Sequence, residues 1–306
     1  MPVLSPTYIG TWYHLQENGT NATRIVESFT KTANQEVSAK PFIQGDIGTH
    51  VMEVGGISYN YDFNSEAIIL ESGNVTSIID IITNGFTYTR NGGYSARFGG
   101  TPANYLMENA RINISQRGVE CSAKFVSSEP NAWIPVYSTT GMSNPDPDFI
   151  ARTAQWYDCI LQYTFHNGRT DVYQIVNASL NIDVNVGKRF FIGQAQSIQD
   201  QTPYFSVNSY RVSGSIEFMA SPTELYNDSL NNTDSSLFGI RPQKDNSNNS
   251  RFYANGPKRL AIKIGNVTNP QFDLGTVSMI KSITTNLKAN EISTVKLDFE
   301  TYARFT

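Results

Sequence analysis

The chain is poor in cysteine and histidine, and this shortage argues against several classes of site. Its 306 residues include 2 cysteines and 3 histidines. Cys121 and Cys159 are too few for a disulfide framework and lack metal-ligand spacing, so we expect both to be reduced and buried. The sequence contains no H-E-x-x-H pattern, nucleophile elbow or phosphate-binding glycine loop. We therefore expect no catalytic residues, no metal site and no cofactor.

Long hydrophobic runs and basic runs are also missing. No window reaches the roughly 18 uninterrupted apolar residues of a membrane span, so we expect no membrane association. The first residues lack the charged and apolar segments of a signal peptide. Charged residues make up only 16% of the chain and the net charge is −4. An acidic chain without a basic run is not expected to bind nucleic acid tightly.

Aromatic residues and alternating patterns are abundant. Aromatic side chains make up 12% of the chain, which favours strands over long surface helices. Within residues 207–220, apolar and polar side chains alternate from Tyr210 onward, with Gly214 on the apolar side, and residues 294–300 do the same. Such alternation is typical of strands with one dry face and one wet face. We predict a mainly β fold, a β-sandwich or rolled sheet with short flanking helices.

Changes in composition divide the chain. Residues 1–40 are polar and aromatic and read as an irregular arm that docks on a partner. A first β-rich unit over 41–126 is followed by a proline-rich connector over 127–150. Residues 151–306 form a second β-rich unit. It contains a long polar loop at 226–257, which is expected to be either functional or disordered.

Local signals place a few elements within these units. Ser77 can cap a short helix that Gly85 would end, and Thr101 before a proline predicts another helix start. Glycine-containing turns predict two hairpins, one at Gly118 and one at Gly168.

The two units share a weak internal similarity. The segments "ARINISQRGVECSAKF" (110–125) and "SITTNLKANEISTVKLDF" (282–299) both contain a short polar turn followed by an alternating strand. Aligned on that turn, Asn113 matches Asn286 and Ile114 matches Leu287. We therefore hypothesise that the two β-rich units arose by internal duplication.

Two segments of the second unit resemble a known family. The run "FFIGQAQSIQDQTPYFSVNSYRVSGSIEFMASPTELYNDSL" and the end "FDLGTVSMIKSITTNLKANEISTVKLDFETYA" are similar to bacteriophage tail tube proteins. The resemblance implies rings that stack into a tube through which DNA passes without tight binding. It also implies a virion protein, assembled in the host cytoplasm, with sheath, baseplate and terminator proteins as partners. The ring would be a homohexamer, or a trimer with pseudo-six-fold symmetry if the chain is duplicated.

The resemblance also implies roles for particular residues. The polar side chains of the alternating strands would face the lumen of the tube; they are Arg211, Ser213, Ser215, Glu217, Lys296, Asp298, Glu300, Glu120, Ser122 and Lys124. The arm and the long loop would contact neighbouring subunits through Trp12, Tyr13, Arg241, Lys244 and Arg251. A tryptophan at Gly214 or Ser215 would then disrupt assembly more than folding.

Three other functions remain open. A tail terminator or baseplate component of the same fold would form a single ring. A receptor- or glycan-binding β-sandwich would expose aromatic side chains in a groove. A hydrolase would have to use scattered carboxylates. The pair Asp146 and Asp148 could serve acid–base catalysis or bind calcium, but these residues are more simply explained as part of a turn.

Overall fold

A computed structural model describes residues 13–17, 23–41, 50–70, 75–76, 78–90, 105–135, 151–164, 168–189, 204–220, 240–244, 250–255, 259–265, 272–273, 278–286 and 292–304. One α-helix, α1, covers Ile78–Arg90. The strands are β1 Tyr13–Glu17, β2 Thr23–Val26, β3 Ser28–Pro41, β4 His50–Glu66, β5 Ile68–Leu70, β6 Val75–Thr76, β7 Leu106–Ser115, β8 Gly118–Ser127, β9 Trp133–Pro135, β10 Ala151–Thr153, β11 Cys159–Thr164, β12 Thr170–Arg189, β13 Tyr204–Met219, β14 Ile240–Lys244, β15 Ser250–Asn255, β16 Arg259–Ile264, β17 Phe272–Asp273, β18 Ser278–Asn286 and β19 Thr294–Arg304.

The fold is mainly β, as predicted, and one large antiparallel sheet dominates it. Eight strands follow one another across this sheet in the order β3-β4-β8-β7-β12-β13-β19-β18. The first residues of β12 also pair with β11, which continues to β16 and β17. Smaller sheets join β1 to β2 and β9, β5 to β6 and β10, and β14 to β15.

The eight-stranded sheet consists of two halves with the same topology. In each half a long hairpin comes first, β3–β4 or β12–β13. A second hairpin follows, β7–β8 or β18–β19, and its last strand pairs with the second strand of the first hairpin. The halves meet where β7 pairs with β12. The repeated strand order supports the duplication hypothesis.

The irregularities of the two halves coincide as well. In the long hairpins, the pair Val37–Val54 and the pair Val186–Val207 each lie just beyond a register shift. Glycines 55 and 56 lie at the first of these shifts, inside the continuous strand β4. In the second hairpins, a single residue bulges out of β7 and of β18. Superposing these bulges gives the same Asn113–Asn286 match as the sequence comparison.

Helix α1 packs on the apolar face of the sheet. Its isoleucines at 78, 79, 81 and 82 are fully buried in the main core. The helix does not end at Gly85, as the sequence suggested, but continues to Arg90. A Cβ atom at Gly85 would lie 2.3 Å from Cε1 of Phe125, so glycine here permits the close approach of helix and sheet.

Other local expectations have mixed outcomes. The helix expected after Thr101 is wrong over its second half, where β7 begins at Leu106 and pairs with β8. The hairpin at Gly118 is confirmed, and β11 pairs with β12 across the predicted turn at Gly168. Residues 13–41, expected to be irregular, contain β1, β2 and β3. Part of the long loop forms the β14–β15 hairpin, and the first part of the connector contains β9.

Candidate functional site

The large sheet has one apolar face and one polar face. On β19 the side chains of Val295, Leu297 and Phe299 are at most 1% exposed and belong to the core. The side chains between them point to the other face, because successive residues of a strand alternate. We call this opposite surface the polar face.

All ten residues predicted to face a lumen lie on the polar face. One cross-strand row runs Ser122, Arg111, Asn181, Ser213, Glu300. A second row runs Glu120, Asn113, Ser179, Ser215, Asp298, and a third runs Lys124, Asn109, Asp183, Arg211, Tyr302. Glu217 is paired with Lys296. The structure thus brings side chains from both halves onto one continuous surface.

Strands β7 and β12 also contribute polar residues to this surface, and these were not predicted from the sequence. Strand β12 has Ala178, Leu180 and Ile182 in the core, alternating with the Ser, Asn and Asp residues of the rows above. The same alternation is visible in β7. Period-two alternation would have identified the polar side chains of both strands.

Several of the charges on the polar face are paired with one another. Arg211 Nε lies 2.6 Å from Oε1 of Glu300. The ammonium group of Lys281 contacts the other carboxylate oxygen, Oε2, of the same residue. Lys124 Nζ lies 3.0 Å from Glu108. Glu108 and Lys281 are the bulged residues of β7 and β18. Each bulge therefore adds a charged side chain that neutralises an opposite charge on the neighbouring strand.

These pairs shift the pKa values of their members. Hydrogen bonds from Lys281 and Arg211 lower the pKa of Glu300 below its usual value. The hydrogen bond to Glu108 raises the pKa of Lys124. Because these ion pairs are largely exposed, each is worth little stability. Their main effect is to neutralise Arg211, Lys124 and Lys281 on this surface.

A second, small apolar cluster joins the β12–β13 hairpin to β7 and β8. Leu106, Val126 and Phe205 are buried together there, apart from the main core. Nearby, Lys188 Nζ donates a hydrogen bond to Ser58 Oγ at 3.1 Å. The end of the β12–β13 hairpin is thereby tied to β4, β7 and β8 of the other half.

Gly214 marks a close contact at the centre of the sheet. A Cβ atom here would lie 2.1 Å from the backbone oxygen of Ser179 on β12. The expectation that a tryptophan at Gly214 would disrupt assembly more than folding is therefore wrong, because any side chain at this position strains the sheet itself. The same expectation for Ser215, on the polar face, stays a prediction.

The residues predicted to contact other subunits are only partly described. Trp12 lies outside the described residues. Tyr13 begins β1, Arg241 and Lys244 lie in β14, and Arg251 lies in β15. The structure describes the backbone at these four positions but not their side chains, so their role stays a prediction.

Trp133 and the two cysteines belong to the packed interior, and Trp156 is half-buried against the main core. Trp133 is 1% exposed, and its ring centroid lies 5.2 Å from those of Phe63 and Tyr105. Cys121 and Cys159 are both buried and free, as expected. Burial raises the pKa of the Cys159 thiol to about 12, and it also raises the pKa of the Cys121 thiol.

Two kinds of feature are not found in the part of the chain that the structure describes. None of its His, Cys, Asp and Glu side chains form a group of three or more that could hold a metal ion. None of its helices has the length and apolar character needed to cross a membrane. Asp146 and Asp148 lie outside this part.

Comparison with known proteins gives no assignment. No protein-family model matches the chain, and no curated protein matches it with significant similarity. Any function must therefore be inferred from the polar face, the repeated sheet and the resemblance noted in the sequence.

Proposed function

We propose that this chain is a structural protein of a bacteriophage tail that assembles into stacked rings forming a hollow tube. The polar face of the large sheet lines the lumen, and DNA passes along it without tight binding. The observation that carries the proposal is the joining of all ten predicted lumen residues on one surface that spans both halves of the sheet.

The electrostatics of the polar face suit a conduit better than a binding site. Tight DNA binding requires unpaired lysine and arginine side chains that replace the counterions of the phosphates. Here Arg211, Lys124 and Lys281 are each paired with a carboxylate. Asp298 lies 4.0 Å from Lys296 and also accepts a hydrogen bond from Ser282. Neutralising three cations of this surface weakens its attraction for phosphates, which favours passage over binding.

The repeated topology favours the trimeric form of the ring. One chain already supplies two four-stranded units of the same strand order, so three chains would supply six. Such a ring has exact three-fold and approximate six-fold symmetry. Closing the sheet into a continuous barrel would also leave no exposed strand edges.

The same observations fit a tail terminator or baseplate ring, which differs from a tube protein in not stacking. A glycan-binding module fits them less well. The first two cross-strand rows named above contain only Ser, Asn, Asp, Glu and Arg, and the one aromatic residue of the three rows is Tyr302, at the end of the third row on β19.

Electron microscopy of the purified protein at rising concentration tests the proposal. We expect hollow tubes whose end-on views show approximate six-fold symmetry. Single rings that do not stack would replace the tube assignment with the terminator or baseplate one. A protein that stays monomeric at high concentration, also after addition of preformed tube fragments, would refute ring assembly.

A further inference from the structure

The two outer strands of the eight-stranded sheet have one free edge each. Among the described strands, β3 pairs only with β4, and β18 pairs only with β19. Strand β15 approaches β18 without pairing with it. Side chains 30–35 of β3 are exposed, as are all those of 281–286 on β18 except the half-buried Ile283. Free edges of this kind readily accept a further strand.

The pairing between the two halves of the sheet shows which kind of strand such an edge can pair with. Strand β12 is the first strand of the second half, and it pairs with β7, the outer strand of the first half. By the repeated topology, β3 corresponds to β12 and β18 corresponds to β7. We propose that β3 of one copy pairs antiparallel with β18 of a second copy, and that this joint repeats the geometry of the internal β7–β12 joint.

The coinciding bulges fix the register of this joint. With Val37 matched to Val186, residue 32 corresponds to Asn181; with Glu108 matched to Lys281, residue 284 corresponds to Arg111. Asn181 and Arg111 are directly opposite each other in the internal joint. The proposal therefore places Thr32 opposite Thr284 of the second copy.

The neighbouring pairs suit this register. On the polar face it places Thr30 opposite Asn286 and Asn34 opposite Ser282. These are uncharged hydrogen-bonding side chains, which pair favourably across strands. On the other face it places Ala33 opposite Ile283, one small and one large side chain. The internal joint has the same combination at this point, with Ala110 opposite Ile182.

Lys31 restricts which strands can pair with the free edge of β3. It lies on the apolar side of β3, where its ammonium group contacts the carbonyl oxygen of Pro130 and lies 5.3 Å from the ring centroid of Tyr59. A charge on the inner side of an edge strand opposes pairing with an apolar strand. The proposed register places Lys31 opposite Thr285, whose hydroxyl tolerates a charged neighbour.

Disulfide trapping between two single variants tests the register. Directly opposite residues of antiparallel strands have Cα atoms about 4.5–5.5 Å apart, within the range of a disulfide. A mixture of Thr32→Cys and Thr284→Cys should form covalent dimers on mild oxidation, and neither variant alone should. Thr30→Cys mixed with Thr284→Cys is the matched control. A shift of two residues adds about 7 Å along the strand and prevents bridging.

The double variant Thr32→Cys/Thr284→Cys should then form closed covalent rings, whose largest species counts the copies. Dimers of Thr32→Cys alone would show β3 pairing with β3 and overturn the proposal, as would equal cross-linking in the shifted control. The proposal rests on the proposed function only in taking the partner to be a second copy in a ring. Rings seen by microscopy without the cross-link would overturn this joint but not ring assembly. Cross-links without tubes would support the joint and contradict the tube.

Discussion

Replacing Gly214 by alanine tests how tightly the two long strands of the second half approach each other. The new Cβ atom would lie 2.1 Å from the carbonyl oxygen of Ser179 and 3.1 Å from its carbonyl carbon. The first distance is about 1.3 Å short of ordinary contact, which begins at 3.4 Å. Because the opposing atoms are backbone, no side-chain rotation relieves the overlap.

The change in the free energy of unfolding for Gly214→Ala is the sum of two opposing effects. Overpacking a well-filled site costs typically about 1–3 kcal/mol, and a clash with backbone belongs at the upper end. Alanine in place of glycine also reduces the entropy of the unfolded chain, which stabilises the protein by roughly 0.5–1 kcal/mol. We expect Gly214→Ala to lower the free energy of unfolding by about 2 kcal/mol. At an m-value of about 2–3 kcal/mol per molar urea, the midpoint falls by roughly 1 M.

Gly187 provides the matched control in the same hairpin. A Cβ atom there would meet Ser206 Oγ at 2.8 Å and Asn208 Nδ2 at 3.2 Å, both at the ends of side chains that can rotate away. We expect Gly187→Ala to change stability by less than about 1 kcal/mol, in line with the small effect of changes that the structure can accommodate. Urea unfolding followed by tryptophan fluorescence compares the two variants. If Gly214→Ala were as stable as the wild type, the close approach of β12 and β13 would be refuted.

Three further predictions concern the polar face and the interior. Ser215→Trp should abolish tube formation while the circular dichroism spectrum stays that of the folded protein. Val172→Trp is the control, because Val172 is exposed and lies where β12 pairs with β11, and this variant should still assemble. Loss of assembly in both variants would show that the effect is not specific to the polar face. The pKa of Glu300 is lowered from 4.5 in the folded state, so its stabilising effect is present above that value and is lost as the pH falls through the folded pKa. Glu300→Gln should therefore lose less stability than the wild type between about pH 5 and about pH 3, and an unchanged pH profile would contradict the ion pairs. Cys121 and Cys159 should resist alkylation at about pH 8 in the native protein, because thiols with raised pKa values stay protonated; mass spectrometry should show two adducts only after denaturation, and rapid labelling of the native protein would contradict their burial.

The mainly β class and the polar side chains of β13 and β19 could be predicted from the sequence, because alternation is a local property. A strand with period-two polarity has a wet face wherever it lies in the fold. The alternation of Val295, Leu297 and Phe299 with charged residues is of this kind, and these three side chains are buried as expected. The alternation of apolar and polar residues in β12 is equally clear, so the polar side chains of that strand could also have been predicted.

The end of α1 and the start of β7 could not be predicted, because both depend on distant partners. Gly85 usually ends a helix, but here it lies under the ring of Phe125, which belongs to β8. Residues from Leu106 onward follow a helix-start signal, yet they pair with β8 along their whole length. Pairing and packing of this kind outweigh local propensity, which spans only about 1 kcal/mol per residue.

The sequence by itself determined which side chains can share a polar surface. The order of polar and apolar residues along a strand is a property of the sequence alone, wherever that strand lies in the fold. Only the tertiary structure decided that strands from both halves lie side by side, that the bulges of the halves coincide, and that β3 and β18 form the two outer edges. These features follow from pairings between residues far apart in the chain, such as Asn181 with Arg111. Register across strands depends on the sum of many weak cross-strand contacts, and a single strand carries no record of its neighbours.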